Sequence, residues 1–268
     1  MLIVVKIGGD LLADGIPGGL VDELASLGRE HRLILVHGGG DVVTKISTEL
    51  GHPPRFVLSP KGFRSRYTDR EESRIFTMVM AGKINKELVS ELQARGVQAV
   101  GLSGLDGALV RATRKRQIVA VDERGRRMLM EGGYTGEIKE VKDGLLRLLL
   151  DNGYAPVISP IAMGEEAEPL NVDGDRMASR VASTLGADAL ILLTDVGGLR
   201  LNDRVVERLS LHEARDVLKD IGPGMITKIY ASTEALEGGV GEVIIASGFA
   251  EEAISSALGH KNCTVITR

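Results

Sequence analysis

Leu2-Ile3-Val4-Val5-Lys6-Ile7-Gly8-Gly9 is the stretch on which the reading of this chain turns. An apolar run rich in β-branched residues, interrupted only by Lys6, stops at two consecutive glycines. Its length and that stop favour a buried strand over a buried helical segment. A lysine near the end of such a strand is costly unless it snorkels out at a sheet edge or meets an anion. Two glycines in succession let the backbone turn sharply and present N–H groups at close range. The stretch therefore predicts either an edge strand with a snorkelling lysine or an anion site at the C-terminal edge of a parallel sheet.

Outward from it the same pattern recurs. Residues 18–30 carry Leu20, Leu24 and Leu27 at helical spacing, and 33–36 form a second apolar run that ends at His37-Gly38-Gly39-Gly40. Residues 41–50 follow as a helix with Val42, Val43, Ile46 and Leu50 on one face. Strand, glycine turn and helix succeed each other twice, an arrangement that offers backbone N–H groups and a helix N-terminus to an anion. The chain has no G-x-x-x-x-G-K-[ST] pattern, and neither glycine cluster spells G-x-G-x-x-G, which argues against a P-loop NTPase and a dinucleotide dehydrogenase. His37 reads as a base or as a strand-end residue that holds the turn.

Residues 51–70 read as a loop with Pro53, Pro54 and Pro60 and a basic end, and 71–95 as one long helix, either a subunit contact or a core helix. Residues 97–102 form a third strand. Between 108 and 141, short alternating runs separated by turn signals predict β-hairpins that project from the α/β body. Seven basic residues lie within 111–127, opposed in that stretch by Asp122 and Glu123. This is either a solvated hairpin or a docking surface. A helix over 141–152, a strand over 155–160 and the polar cluster Asn171, Asp173 and Asp175 at the start of another helix follow. One capping aspartate would suffice there. Residues 189–193 form a strand ending in Thr194-Asp195-Val196-Gly197-Gly198, and Gly222-Pro223-Gly224-Met225 opens a helix that carries Lys228. Runs at 243–246 and 264–267 complete the sheet. The βα alternation predicts an α/β fold with a mostly parallel, doubly wound sheet.

Composition narrows the function. Over 268 residues the net charge is −4, with no Trp, four Tyr and four Phe, which leaves neither the positive field nor the aromatic platforms of a nucleic-acid binder. The lone Cys263 excludes an intrachain disulfide and a multi-cysteine metal site, and reads as a buried inert thiol. No stretch approaches 18 consecutive apolar residues, and no signal-peptide flanks stand at the start, so a cytoplasmic protein without a membrane span is expected. Two lysines on glycine turns from opposite halves of the chain, with carboxylates between them, suit phosphoryl transfer, where catalysis is positioning and charge neutralisation.

Five motifs then carry a resemblance: Val5-Lys6-Ile7-Gly8-Gly9, His37-Gly38-Gly39-Gly40, Asn171-Val172-Asp173-Gly174-Asp175, Leu193-Thr194-Asp195-Val196-Gly197-Gly198-Leu199 and Gly224-Met225-Ile226-Thr227-Lys228. In this order and over the full length, the chain resembles the amino acid kinase family, and within it the acetylglutamate kinase branch. It is most similar there to archaeal and thermophilic-bacterial kinases that act on aminoadipate or glutamate linked to the acidic carrier protein LysW.

The resemblance implies a three-layer α/β/α sandwich in two lobes. Residues 1–170 would receive the amino acid and dimerise, with the basic region at 108–141, and 171–268 would bind ATP. It implies that Lys6 and Lys228 stabilise the phosphoryl group in flight and that Asp175 holds those lysines. Gly39 and Gly40 would receive the substrate, Arg66 its α-carboxylate with Asn171 as polar partner, and Gly8 and Gly9 would line the phosphate path. Thr194, Asp195, Gly197, Gly198, Leu199, Arg200, Gly222 and Met225 would bind nucleotide, with Mg²⁺ on the ATP phosphates and no direct protein ligand. The product would be an acyl phosphate.

One departure bears on the substrate. Where ordinary acetylglutamate kinases show a Gly-Leu-Arg-Val-Thr-like segment, this chain has Gly62-Phe63-Arg64-Ser65-Arg66-Tyr67-Thr68-Asp69-Arg70. Five basic residues in 61–74 and seven in 111–127 make twelve of the chain's 33. An acidic carrier would use Arg64, Arg111, Arg114, Lys115 and Arg116. Free N-acetyl-L-glutamate is the alternative acceptor, and a non-catalytic regulatory module on the same fold the alternative role. The chain starts at its first strand, so inhibition by arginine through an added N-terminal helix is not expected.

Overall fold

The strand Leu2–Ile7 lies fourth from one end of an eight-stranded sheet. In a computed structural model that describes every residue except Lys61, Glu123, Asp203 and Pro223, the spatial order starts with Ala99–Ser103, Ala155–Ser159, Arg32–His37 and Leu2–Ile7. It continues with Ala189–Thr194, Glu242–Ser247, Cys263–Thr267 and Arg208–Ser210. The readings of Lys61, Glu123 and Pro223 lie outside the described residues. All neighbours pair in parallel except Cys263–Thr267, which runs against Glu242–Ser247.

Lys6 is opposite Val36 on one side and Leu192 on the other, so the strand is internal and the edge-strand reading of Lys6 falls. The chain leaves Leu2–Ile7 to one side and returns on the other at Ala189–Thr194. That reversal of strand order opens a crevice at the C-terminal ends, where open α/β sheets place their ligands.

Alternation along the first strand divides the core into two layers. Ile3, Val5 and Ile7 pack with Leu20 and Leu24, Ile75 and Leu88, and Ile254 from helices on one face. Val4 packs on the other face with Leu146, Met177, Val181, Ile229 and Leu236. Lys6, two residues beyond Val4, shares that second face, on which the helix Gly174–Leu185 lies. The result is the expected α/β/α sandwich.

The glycine turns fit backbone to backbone. A Cβ on Gly38 would stand 2.6 Å from the Gly9 nitrogen, and one on Gly8 2.9 Å from the Leu193 oxygen. Gly39 has φ +144°, and a Cβ there would strike Ile84. Ile84 ends a π-helical segment, Met78–Ile84, inside the predicted long helix, between Arg70–Thr77 and Asn85–Ala94. The wider turn seats Ile84 on Gly39 and brings Asn85 Nδ2 within 2.9 Å of the Val157 carbonyl.

Two expectations need correction. Residues 51–70 are not a loop: Arg55–Leu58 and Arg64–Tyr67 pair as an antiparallel hairpin. The region 108–141 does not project as hairpins alone. Gln117–Val121 and Arg127–Glu131 do form one, which joins Arg55–Leu58 and Arg64–Tyr67 in a four-stranded sheet. Val110–Arg114 instead pairs with Gly136–Val141 and Ile161–Met163 in a second sheet, completed by Pro169–Asn171. Cys263 is buried as expected. Among the described residues no helix is long and apolar enough to cross a membrane.

Gly39→Ala is expected to cost about 2 kcal/mol or more, because the residue sits at positive φ and the added methyl meets Ile84. Urea unfolding of the two proteins measures it; a difference within 0.5 kcal/mol, roughly the scatter of surface substitutions, would contradict the packing described.

Candidate active site

Asp175 lies in the first turn of Gly174–Leu185, where the helix N-terminus favours a carboxylate. The capping work is done by Asp173, whose side chain accepts from the Arg176 amide at 2.8 Å, which leaves Asp175 free to turn toward the sheet. Lys6 Nζ stands 2.8 Å from Asp175 Oδ1, and Lys228 Nζ 3.2 Å from Oδ2. The three side chains are 8%, 12% and 6% exposed for Lys6, Lys228 and Asp175. Burial alone would raise the Asp175 pKa, but the two ammonium groups overcome it and hold the carboxyl at about 2. Burial likewise works against the Lys228 charge, and Asp175 outweighs it and raises that pKa. Asp173 and Asp10 add to the effect of Asp175 on Lys228, so two ammonium groups are gathered at the C-terminal edge of the sheet by several carboxylates. An anion that entered between the lysines would meet both of them.

The glycine turns frame this trio. His37 is fully buried; desolvation lowers its pKa to about 4, and its Nδ1 donates to the Gly38 carbonyl at 2.9 Å. Asn85 Nδ2 lies 3.3 Å from its Nε2. His37 is thus a neutral turn-holding residue, the second of its two readings. Gly9 lies against Gly39 and Gly40, so the loops after the first two strands form one backbone floor beside Lys6.

On the other side, a cavity of about 450 Å³ is lined by Thr194, Asp195, Gly198, Leu199, Arg200, Gly222, Met225 and Lys228. That is every nucleotide-site residue named from sequence except Gly197, which sits in the same turn without reaching the wall. Gly224, at φ +88°, caps the helix Met225–Glu237 and aims its N-terminus at the cavity. Asp10 also lines it; partial burial and a hydrogen bond with Asp41 raise its pKa, and Asp195 adds to the effect. Asp10 and Asp41 were not singled out in the sequence. Their positions directly after a glycine turn were the available signal. Among the described residues no group of three His, Cys, Asp or Glu side chains could hold a metal ion by itself.

The residues expected to receive the acceptor gather near Gly40. Arg66 is buried, and its guanidinium donates to Glu72 Oε1 at 2.7 Å, the Gly40 carbonyl at 2.7 Å and Thr44 Oγ1 at 2.6 Å. Glu72 and Thr44 were invisible to sequence reasoning, because their roles depend on the hairpin that carries Arg66. Asn171 donates from Nδ2 to Thr68 Oγ1 at 3.0 Å, one residue beyond Tyr67 on that hairpin.

The basic residues are more dispersed. Arg64 stacks on Phe56 at 3.8 Å, and Arg114 on Tyr134 at 4.0 Å while donating to the Gly133 carbonyl. Arg116 pairs with Glu166 at 2.9 Å and Arg111 with Glu140 at 4.0 Å. Lys115 is half-buried; burial lowers its pKa, as does the neighbouring Arg176 charge. The fold thus brings in carboxylates that a count over 111–127 does not see.

The amino acid kinase family pattern matches residues 1–247. A [LysW]-aminoadipate/[LysW]-glutamate kinase from Metallosphaera sedula is 46% identical over 265 residues, 98% of this chain and 100% of its own. A relative from Nitrosopumilus maritimus is 50% identical over 265 residues, 99% of each chain. Carbamate kinase from Giardia lamblia shares the fold, with a TM-score of 0.68 at 17% identity over 99% of this chain and 98% of its own.

Because the Asp175 pKa in the folded protein lies below its ordinary value, its pairing contributes stability above the usual carboxylate range and loses it as pH falls. The loss should amount to about 2 kcal/mol between about pH 4 and pH 2. Asp175→Asn should lack that increment and should cost about 3–5 kcal/mol at neutral pH, since it strands two buried ammonium groups. Urea titrations across that pH range measure both; parallel acid limbs for the two proteins would contradict the pairing.

Proposed function

The chain belongs to the amino acid kinase family, and on that premise we propose that it transfers the γ-phosphoryl group of ATP to the side-chain carboxylate of an amino-blocked acidic amino acid. The acceptor we propose is 2-aminoadipate or glutamate linked to LysW, the substrates in the name of the Metallosphaera sedula relative. The observation that carries the reading is the pair Lys6 and Lys228 on the two oxygens of Asp175, between the glycine floor and the cavity at 194–228.

In this reading residues 1–170 receive the amino acid and 171–268 the nucleotide. An acceptor carboxylate oxygen bonds to the γ-phosphorus as the bond to the β-bridging oxygen breaks, which gives an acyl phosphate and ADP. The acceptor is already ionised, so no general base is required, and Asp175 serves as the strut that spaces the lysines. Two anions meet in this step, and a cation on each side offsets their repulsion. Lys6 reaches from the amino-acid side and Lys228 from the nucleotide side. The amides at Gly9, Gly39 and Gly40 would receive phosphate and acceptor oxygens at close range, while Gly8, whose amide donates to the Leu193 carbonyl at 2.9 Å, lines the phosphate path without a side chain. Arg66, held flat by Glu72 and Thr44, would turn its remaining N–H groups to the α-carboxylate, beside Asn171.

The cavity volume and the helix N-terminus at Gly224 suit a nucleotide. Mg²⁺ would arrive on the phosphates, and its charge would relieve the crowding of Asp10, Asp41 and Asp195. Arg64, Arg111, Arg114, Lys115 and Arg116 would steer the acidic carrier. A homodimer through the helix at 70–94, where Met78 is exposed, and a cytoplasmic setting complete the proposal.

Mg²⁺-dependent ADP release should be faster with carrier-linked aminoadipate or glutamate than with free N-acetyl-L-glutamate; equal or better use of the free amino acid would overturn the carrier. Lys6→Met and Lys228→Met should each lower kcat by about a hundredfold or more, as loss of a single transition-state donor does elsewhere. Variants that fold and keep wild-type turnover would overturn the roles of the two lysines.

A further inference from the structure

Phe63 and Tyr230 belong to opposite halves of the chain and meet edge to face, with ring centroids 6.0 Å apart and planes at 83°. Phe63 stands at the tip of the hairpin that carries Arg64 and Arg66. The tip is held by the Ser59 amide donating to the Phe63 carbonyl at 2.8 Å, Gly62 to Ser59 at 3.0 Å, and Phe63 to Ser59 Oγ at 3.1 Å. Gly62, at φ +83°, makes the turn that presents the ring. Tyr230 lies two residues after Lys228 on the helix Met225–Glu237.

Tyr230 is also tied from behind. Arg176, the residue after Asp175, places its guanidinium carbon 5.4 Å from the Tyr230 ring centroid and donates to both oxygens of Glu234, at 2.9 and 2.6 Å. The tyrosine ring thus connects the hairpin tip to both helices whose first turns hold Asp175 and Lys228. Nothing else in the transfer scheme uses Phe63, Tyr230 or Arg176.

We propose that Phe63 and Tyr230 are positioning residues forming an aromatic clasp between the acceptor hairpin and the Lys228 helix, so that nucleotide binding on one side orders the hairpin on the other. The inference rests on the chain being an ATP-dependent kinase. Arg66 is anchored by Glu72, Gly40 and Thr44 at the base of the hairpin, so an open tip would loosen the distal part of the hairpin over the acceptor pocket; a seated tip fixes that part against the element that presents Lys228. Occupied and empty states of the cavity would then differ at the hairpin as well as beside the nucleotide.

Amide hydrogen exchange on the full chain, with and without Mg²⁺ and a non-hydrolysable ATP analogue, tests this. Nucleotide should slow exchange of the 55–67 amides in the wild-type protein by about threefold to tenfold, the range expected of one edge-to-face pair. Phe63→Ala and Tyr230→Ala should abolish that slowing while calorimetry still finds the analogue bound, and Tyr230→Phe, which keeps the ring, should retain it. In steady state Phe63→Ala should raise KM for the acceptor more than it lowers kcat, and the double alanine variant should be no worse than the worse single variant. Analogue binding without any change at 55–67, or equal slowing in Phe63→Ala, overturns the clasp and leaves the kinase reading standing. Failure to bind the analogue at all overturns both.

Discussion

Two ammonium groups on one buried carboxylate set the terms for this structure. At 2.8 and 3.2 Å the two attractions are worth about 6 and about 5 kcal/mol in gross Coulomb energy at an effective dielectric near 20. Against this stand three desolvated ions, each costing several kcal/mol even after relaxation. The attractions do not clearly exceed the cost, so the trio is a poor device for stability. Gathering two ammonium groups at one carboxylate makes sense once a further anion passes between them. The alternation of the first strand, which hides Val4 in the core and turns Lys6 to the same face, places that charge where a strand-order reversal has opened a crevice.

The crevice itself depends on what is missing from the backbone. Gly8, Gly9, Gly38 and Gly39 are packed so closely that a single Cβ at Gly38 would press on a neighbouring main-chain nitrogen. Closeness here braces adjacent loops against one another: the Gly8 and Gly38 amides donate to the Leu193 and Ile7 carbonyls at 2.9 and 2.8 Å, and Gly9 is left lying against Gly39 and Gly40. His37 and Asn85 support that floor from below. A neutral imidazole donates to the turn, and the asparagine amide reaches both it and the Val157 carbonyl. The π-helical segment that precedes Asn85 adjusts the helix phase so that Ile84 and Asn85 both face the turn.

What could be read from the residues follows the range of the interactions. The long apolar runs at 2–7, 33–36 and 189–193 announced themselves, because a central parallel strand buries both faces and needs no partner in sequence to be recognised. The glycine stops marked the site for the same local reason. The hairpin at 55–67 escaped notice because three prolines and a string of arginines mask its alternation, and only Arg66 is fully buried in Arg64–Tyr67. Two- and three-residue strands such as Arg200–Leu201 and Ile161–Met163 are too short to show a period. Glu72, the partner of Arg66, is a product of the fold and carries no local signature, whereas Asp41, hydrogen-bonded to Asp10, had only its place after a glycine turn to mark it.

Charge counting shows the same limit in a form that bears on recognition. Over 111–127 the sequence has seven cations against two anions, yet folding supplies Glu140 to Arg111 and Glu166 to Arg116. This does not silence the patch. The Arg116 and Glu166 side chains are 75% and 62% exposed, and exposed pairs of this kind are worth between zero and about 1 kcal/mol. An acidic partner could exchange such pairs for its own carboxylates at little cost. Arg64 and Arg114 have laid their guanidinium groups on aromatic rings, which fixes their planes, and Arg114 Nε is further held by the Gly133 carbonyl. On the proposed carrier reading, weak internal pairing and preset arginine planes would favour rapid, salt-sensitive capture over permanent association, as a carrier released after each transfer requires.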